Sequence, residues 1–373
     1  MDRQIQNQYA PDYVSPPGET LLETLEAIGM TQVQLAERTG KSPKTINEIV
    51  KGIAPITPET ALQFERVLGV PARFWNNRER QYREFLAHHE ERKRLENSVE
   101  WLEQVPLKAM FNCGWIQGFE DPVDQLREVL RFFGVASPVE WNQVWMRPQA
   151  AFRQSPAFQA DPVAVAAWLR KGELEAQQLE CEPFDKQCFR VALEQIRALT
   201  TRDPNEFQPE IVRLCAQAGI AVVFVPALPK TRASGATRWL TPEKAMIQLS
   251  LRHKSDDQLW FTFFHEAGHI WLHGKREAFV DVEDGDSGEK EEQANQFAAD
   301  LLVPRTRWRR FVRAAHHYSK GEIQTFAAEL GIAPGIVVGR LQKEEVLPHT
   351  HCNNLKHRLD WQWVDGMAVM VQQ

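Results

Sequence analysis

From Pro16 to Leu86 apolar positions recur every three or four residues, and glycines interrupt them at short intervals. Leu21, Leu22, Leu25 and Ile28 mark one helical face, closed by Gly29. Thr31 with Gln34 reads as a capping box that opens a second helix, and Gly40 ends it. Ser42 caps a third helix beginning at Pro43; Gly52 follows it, and Thr57-Pro58 opens a fourth.

Further along, "HHEERKRLENSVEWLEQ" (88–104) is charged at helical spacing and predicts a connecting helix. Residues 105–203 keep a helical period and are rich in Trp, Phe and Gln, which suits a packing or partner-binding region. The pattern changes at "IAVVFV" and again at "KAMIQLSL" (244–251), two predicted strands. The second is expected to form an exposed edge able to hold an added strand. It leads into "SDDQLWFTFFHEAGHIWLHG", a helix of about eighteen residues with Ser255 and Gln258 as capping box and Gly274 as stop. Helix, strand, strand, helix makes this part α+β.

Near the end, "FAAELGIAPGIVVGRL" (326–341) repeats the spacing of "LAERTGKSPKTINEIV" (35–50). Gly335, Ile336 and Val338 stand where the first copy has Lys44, Thr45 and Asn47, so packing is expected of the second copy. The run "RTRWRRFVR" just before it reads as a solvated basic face, with a phosphate or an acidic partner as the alternative.

The chain has 373 residues, 43% hydrophobic and 25% charged, which fits a globular protein of two or three domains. A net charge of −6 gives no chain-wide attraction to nucleic acid or anionic membranes, so such binding must come from a local patch. Five scattered cysteines, a polar N-terminus and no long apolar run lead to the expectation of a reduced, cytoplasmic protein without membrane contact.

The third helix supplies such a patch. Two short helices joined by a tight glycine turn predict a helix-turn-helix. "SPKTINEIVKG" buries Ile46, Ile49 and Val50, which leaves Lys44, Thr45, Asn47 and Lys51 outward, groups suited to base edges and phosphates. With Gln32 and Ser42 at the starts of the two helices, these are the expected contacts to double-stranded DNA.

In "FHEAGHIWLHG" His265 and His269 lie one helical turn apart, so both imidazoles reach a single metal ion. Glu266 is turned about 100° away. It sits beside the ion, where a carboxylate can take a proton from water. His273 lies about 12 Å beyond His265 along the axis, too far for three imidazoles to converge on bonds near 2.1 Å. The later histidine of the longer zinc motif would fall at Lys275.

A third ligand is expected from "SGEKEEQANQFAADLLVP" (287–304). Ala294, Ala298, Leu301 and Leu302 form a buried stripe that includes Glu291 but not Glu289 or Glu292. A carboxylate on that face needs a cation to meet it. Asn295, a turn later, is placed to orient a ligand.

Residues 16–82 resemble the HigA-type branch of the XRE helix-turn-helix family, a lambda-repressor-like bundle; this implies operator binding as a homodimer and raises an antitoxin-like role. "FTFFHEAGHIWLHG" with "EKEEQANQFAADLLVP" resembles the ImmA/IrrE family of zinc metallopeptidases over roughly 207–304. That resemblance implies a minimal gluzincin-like fold, Zn2+ held by His265, His269 and Glu291, Glu266 as catalytic acid/base, and cleavage of a partner repressor.

The expected organisation is a polar tail (1–15), a DNA-binding domain (16–86), a connecting helix and helical middle (87–204), a peptidase core (205–310) and a helical extension (311–373). The whole is multidomain and mainly α. The expected function is a DNA-binding regulator with zinc endopeptidase activity. The alternative is a repressor or antitoxin whose peptidase-like domain only senses a metal or ligand.

Overall fold

The computed structural model describes residues 14–146, 160–274, 279–282, 288–314, 318–364 and 367–373. The chain divides into two compact units, Met1–Ser98 and Val99–Gln373.

The first unit holds α1 (Pro17–Ala27), α2 (Gln32–Thr39), α3 (Pro43–Val50), α4 (Pro58–Leu68) and α5 (Ala72–Glu96). Its caps are made by the residues that punctuate the sequence. Thr31 and Gln34 exchange both bonds of a capping box, and Ser42 and Thr57 each accept a backbone N–H three residues on. Gly40 takes the left-handed conformation, with φ 70°, that lets α2 stop and α3 turn away. Leu21, Leu25, Leu35, Ile46, Ile49, Phe64 and Trp75 fill the core. Each such side chain contributes about 1.5–3 kcal/mol on burial. Ile28 departs from expectation. α1 ends at Ala27, so Ile28 leaves the helical phase and is exposed. α5 runs without a break through residue 86, where the sequence pattern places a boundary.

The second unit begins with short helices that include α6 (Leu107–Asn112), α7 (Pro122–Phe133) and α8 (Pro138–Trp141). Then come α9 (Pro162–Gln178), α10 (Lys186–Ala198) and α11 (Pro204–Gln217). A four-stranded sheet follows from β1 (Ile220–Phe224), β2 (Ala233–Thr241), β3 (Lys244–Leu249) and β4 (Phe279–Val282). Its order is β1-β3-β2-β4, with β1 parallel to β3 and the other pairs antiparallel. The segment expected as an exposed edge, β3, is therefore central, hydrogen-bonded on both sides. β4 borders β2 instead. β2 is not legible in the sequence because "ASGATRWLT" lacks a clean alternation of apolar and polar residues.

Alternation along β3 sends its side chains to two faces. Ile247 and Leu249 join the core with Phe263 and Phe264 of α12 (Asp256–Leu272). On the other face Gln248 donates to the Trp168 carbonyl of α9 at 2.7 Å. The sheet thus holds α12 against one side. α13 (Glu289–Leu302) packs on α12, followed by α14 (Arg305–Ala314), α15 (Lys320–Leu330) and α16 (Pro334–Lys343).

α15 and α16 share with α2 and α3 a capping box (Ser319/Glu322), a left-handed glycine (Gly331) and a proline opening, though Ala333 supplies no side-chain cap where Ser42 does. Gly335, Ile336, Val337, Val338 and Leu341 are buried, and α16 packs on α12. The chain ends in an antiparallel hairpin, β5 (Leu359–Val364) with β6 (Met367–Gln372). The extension after 311 is thus not wholly helical. "LDWQWVDGMAVMVQ" alternates around an Asp-Gly pair, a hairpin signal that a helical reading of the tail passes over.

Candidate metal centre and helix-turn-helix face

α12 is apolar on nearly every side because it lies between the sheet and α13. His265 and His269 are 4% and 2% exposed, and Glu266 is fully buried. The expected capping box at its start does not form. Ser255 instead donates to Asp257 Oδ1 at 2.6 Å, and Asp256 Oδ1 accepts from the Asp257 amide at 2.8 Å. The helix ends at Leu272, which leaves His273 as its cap in an extended conformation.

The Nε2 atoms of His265 and His269 lie 3.0 Å apart. Glu291 Oε2 approaches them at 3.0 and 3.4 Å. Three ligands at about 2.0–2.1 Å from one tetrahedral ion stand roughly 3.3 Å from one another, so these three atoms outline a face of that tetrahedron. Two imidazole nitrogens and one carboxylate oxygen fit a zinc ion by chemistry as well as spacing. Burial pushes the Glu291 carboxyl up, but hydrogen bonds from both imidazoles and their charge outweigh it and hold it at about 2. Burial pushes His269 down, against the pull of Glu291, which favours the neutral ring that a metal ion would need.

Close approach of the two helices makes this convergence possible. A Cβ at Gly268, between the histidines, would lie 3.1 Å from Phe297 Cδ1 and 3.2 Å from Ala294 Cα. Beside the triad, β2 passes against Glu266. A Cβ at Gly235 would meet Glu266 Oε1 at 2.6 Å, and Thr237 Oγ1 donates to the Glu266 carbonyl at 3.1 Å.

The other ring nitrogens are also engaged. His265 Nδ1 lies 2.9 Å from Asn295 Oδ1, and His269 Nδ1 lies 3.0 Å from His273 Nδ1. His273 Nε2 is 3.2 Å from Gln293 Oε1, and Gln293 Nε2 donates to Glu289 Oε1 at 3.1 Å. If both ligating Nε2 atoms are bare, one pattern of protons satisfies the series. His265 donates to Asn295, His269 to His273, and His273 to Gln293. Asn295 and the triad thus come together as the sequence pattern places them. The orienting place of His273 and the glycines at 235 and 268 are not legible from helical periodicity.

In the first unit Lys44, Asn47 and Lys51 are exposed on one side of α3, while Thr45 and Gln32 are half-buried. Ser42 Oγ is occupied as a cap, accepting from the Thr45 amide at 3.0 Å and sharing a 2.9 Å bond with Thr45 Oγ1. Lys44 reaches Glu48 at 3.8 Å, an exposed pair of little energetic weight.

The two units therefore define a chain that joins a DNA-binding type of domain to a metallopeptidase type. Comparison with protein families gives the particulars. Residues 21–75 match the helix-turn-helix family model, and residues 215–342 match the IrrE N-terminal-like domain of the peptidase families. The second match reaches residue 342 and so takes in the buried helix pair of the tail. A solved structure of an addiction module antidote protein of a HigA family from Coxiella burnetii is similar over 22% of this chain and 92% of that chain, with 29% identity and a TM-score of 0.21. No curated protein matches. No helix among the described residues is long and apolar enough to cross a membrane.

Proposed function

We propose that this chain is a DNA-binding transcriptional regulator whose second unit is a zinc-dependent endopeptidase acting on a partner repressor. The observation that carries the reading is the convergence of His265, His269 and Glu291 with Glu266 buried beside them. A zinc ion held by those three ligands would polarise a scissile peptide carbonyl and make water more acidic. Glu266 takes the proton from the attacking water and returns it to the leaving amine. Asn295 and His273 keep the ligating imidazoles in one tautomer and one orientation.

On the DNA side, Lys44, Thr45, Asn47 and Lys51 read and grip the operator, with Gln32 and Ser42 at the helix starts. Binding as a homodimer would match a two-fold operator. Metal analysis tests the core of the proposal. Wild-type protein should carry about one zinc per chain, whereas His265→Ala, His269→Ala and Glu291→Ala should each lose it. Full zinc in Glu291→Ala would move the third ligand elsewhere and overturn the assignment.

A further inference from the structure

α14 stands apart from the other surface helices in its charge. Several exposed arginines of α5, α7, α10 and α11 meet an acid three or four residues away, as in Arg80–Glu84, Arg131–Glu128, Arg190–Glu194 and Arg213–Glu210. On α14 they do not, because the sequence has no acid between Asp300 and Glu322. Five arginines, at 305, 307, 309, 310 and 313, are exposed there. Arg307 reaches across to Glu329 at 2.8 Å. The other four have no acidic partner among the described residues.

Their placement is ordered. Steps of 100° put Arg305, Arg309 and Arg313 within about 80° of one another, and Arg310 about 60° further round. The opposite side anchors the helix. Trp308 is buried, donates to Glu344 Oε2 at 2.8 Å and lies under the Arg340 guanidinium at 4.5 Å. Phe311 stacks on Phe326 with ring centres 4.1 Å apart. An anchored helix thus presents four guanidinium groups, none paired with an acid among the described residues, along about 12 Å of its axis.

We propose that this outer face of α14 grips the phosphate backbone of duplex DNA, a contact additional to the helix-turn-helix. Four like charges without an acidic partner among the described residues repel one another, and an anionic surface relieves that repulsion. A 12 Å length of duplex carries about seven phosphate charges, enough for all four arginines. The planar guanidinium fork suits phosphate oxygens, and the face has no large apolar side chain to enter a lipid surface. A chain that already carries a helix-turn-helix meets DNA as its nearest polyanion, and the inference rests on the DNA-binding reading to that extent.

The test uses the full chain with two labelled duplexes of equal length, one from its own promoter region and one of random sequence. Affinity is measured against salt for wild type, for Arg305→Gln/Arg309→Gln/Arg310→Gln/Arg313→Gln, and for the same four positions changed to Lys. Removing one arginine–phosphate pair lowers the log–log salt slope by about 0.9. The Gln variant should therefore lose about three to four from the slope, equally on both duplexes, while its preference for the promoter duplex survives. The Lys variant should keep most of the slope. An unchanged slope in the Gln variant overturns the inference, as does a loss confined to binding of polyglutamate, which would assign the face to an acidic protein. Asn47→Ala separates the two readings, because it should abolish promoter preference without touching the slope set by α14.

Discussion

His269 and His273 face each other through their Nδ1 atoms at 3.0 Å, and His273 Nε2 continues to Gln293. Four residues apart and one step beyond the helix end, His273 touches the ring it follows and lies outside the His265, His269 and Glu291 group, so on the proposed reading it orients that ring and is not a ligand. Replacing His273 by Ala should leave zinc binding stoichiometric but weaken it about 10–100-fold, measured by competition with a chelator. Complete loss of zinc would make His273 a ligand, and unchanged affinity would remove it from the site altogether.

Gly268 sits where α12 and α13 touch. Gly268→Val must push Ala294 and Phe297 away, and with them Glu291 one turn earlier on the same helix. Overpacking of this kind costs about 1–3 kcal/mol. The variant should unfold earlier in denaturant and hold zinc less tightly than wild type. A Gly268→Val protein of wild-type stability and zinc affinity would show that the helices do not need their close approach.

Asp256 opens the histidine helix and is 4% exposed. Burial first, and then the charge of Asp257, push its carboxyl up from 3.8 to about 6, against the opposing effect of His357. Between those values the folded chain keeps a proton that the unfolded chain releases, so stability falls as pH rises through that window and the loss persists above it. The gap corresponds to on the order of 3 kcal/mol. Asp256→Asn can still accept from the Asp257 and His357 amides at Oδ1, as Asp256 does now. It should therefore gain stability over wild type above pH 6 and little below pH 4, read from denaturant melts across that range. A pH-independent difference would locate the penalty elsewhere.

Much of this arrangement is readable from residue order because local rules decide it. The caps at Thr31, Ser42 and Thr57 and the buried stripe of Ala294, Ala298 and Leu302 follow from helical geometry alone. So does Glu291 on that stripe. What periodicity does not carry is set by contacts between distant segments. The central position of β3 depends on β1 and β2 pairing from either side, and Gln248 reaches Trp168 across 80 residues. Distance along the axis keeps His273 out of the triad, as found, but does not give its contact with His269, because the helix stops at Leu272. The terminal hairpin is visible in the alternation of Trp361, Trp363, Val369 and Val371, yet the helical spacing just before it masks the signal.

The proposed peptidase activity turns on Glu266. Its carboxylate is fully buried one residue after His265 and lies against Gly235, outside the group of His265, His269 and Glu291. Glu266→Gln keeps size and shape but removes the carboxylate proposed as the base. The decisive measurement is therefore paired: zinc content of purified Glu266→Gln, and its cleavage of the proteins encoded beside it, both against wild type. Both proteins should hold about one zinc per chain, with cleavage slowed about 10²–10⁴-fold in the variant. Cleavage at the wild-type rate by Glu266→Gln with its zinc in place would rule out Glu266 as the base.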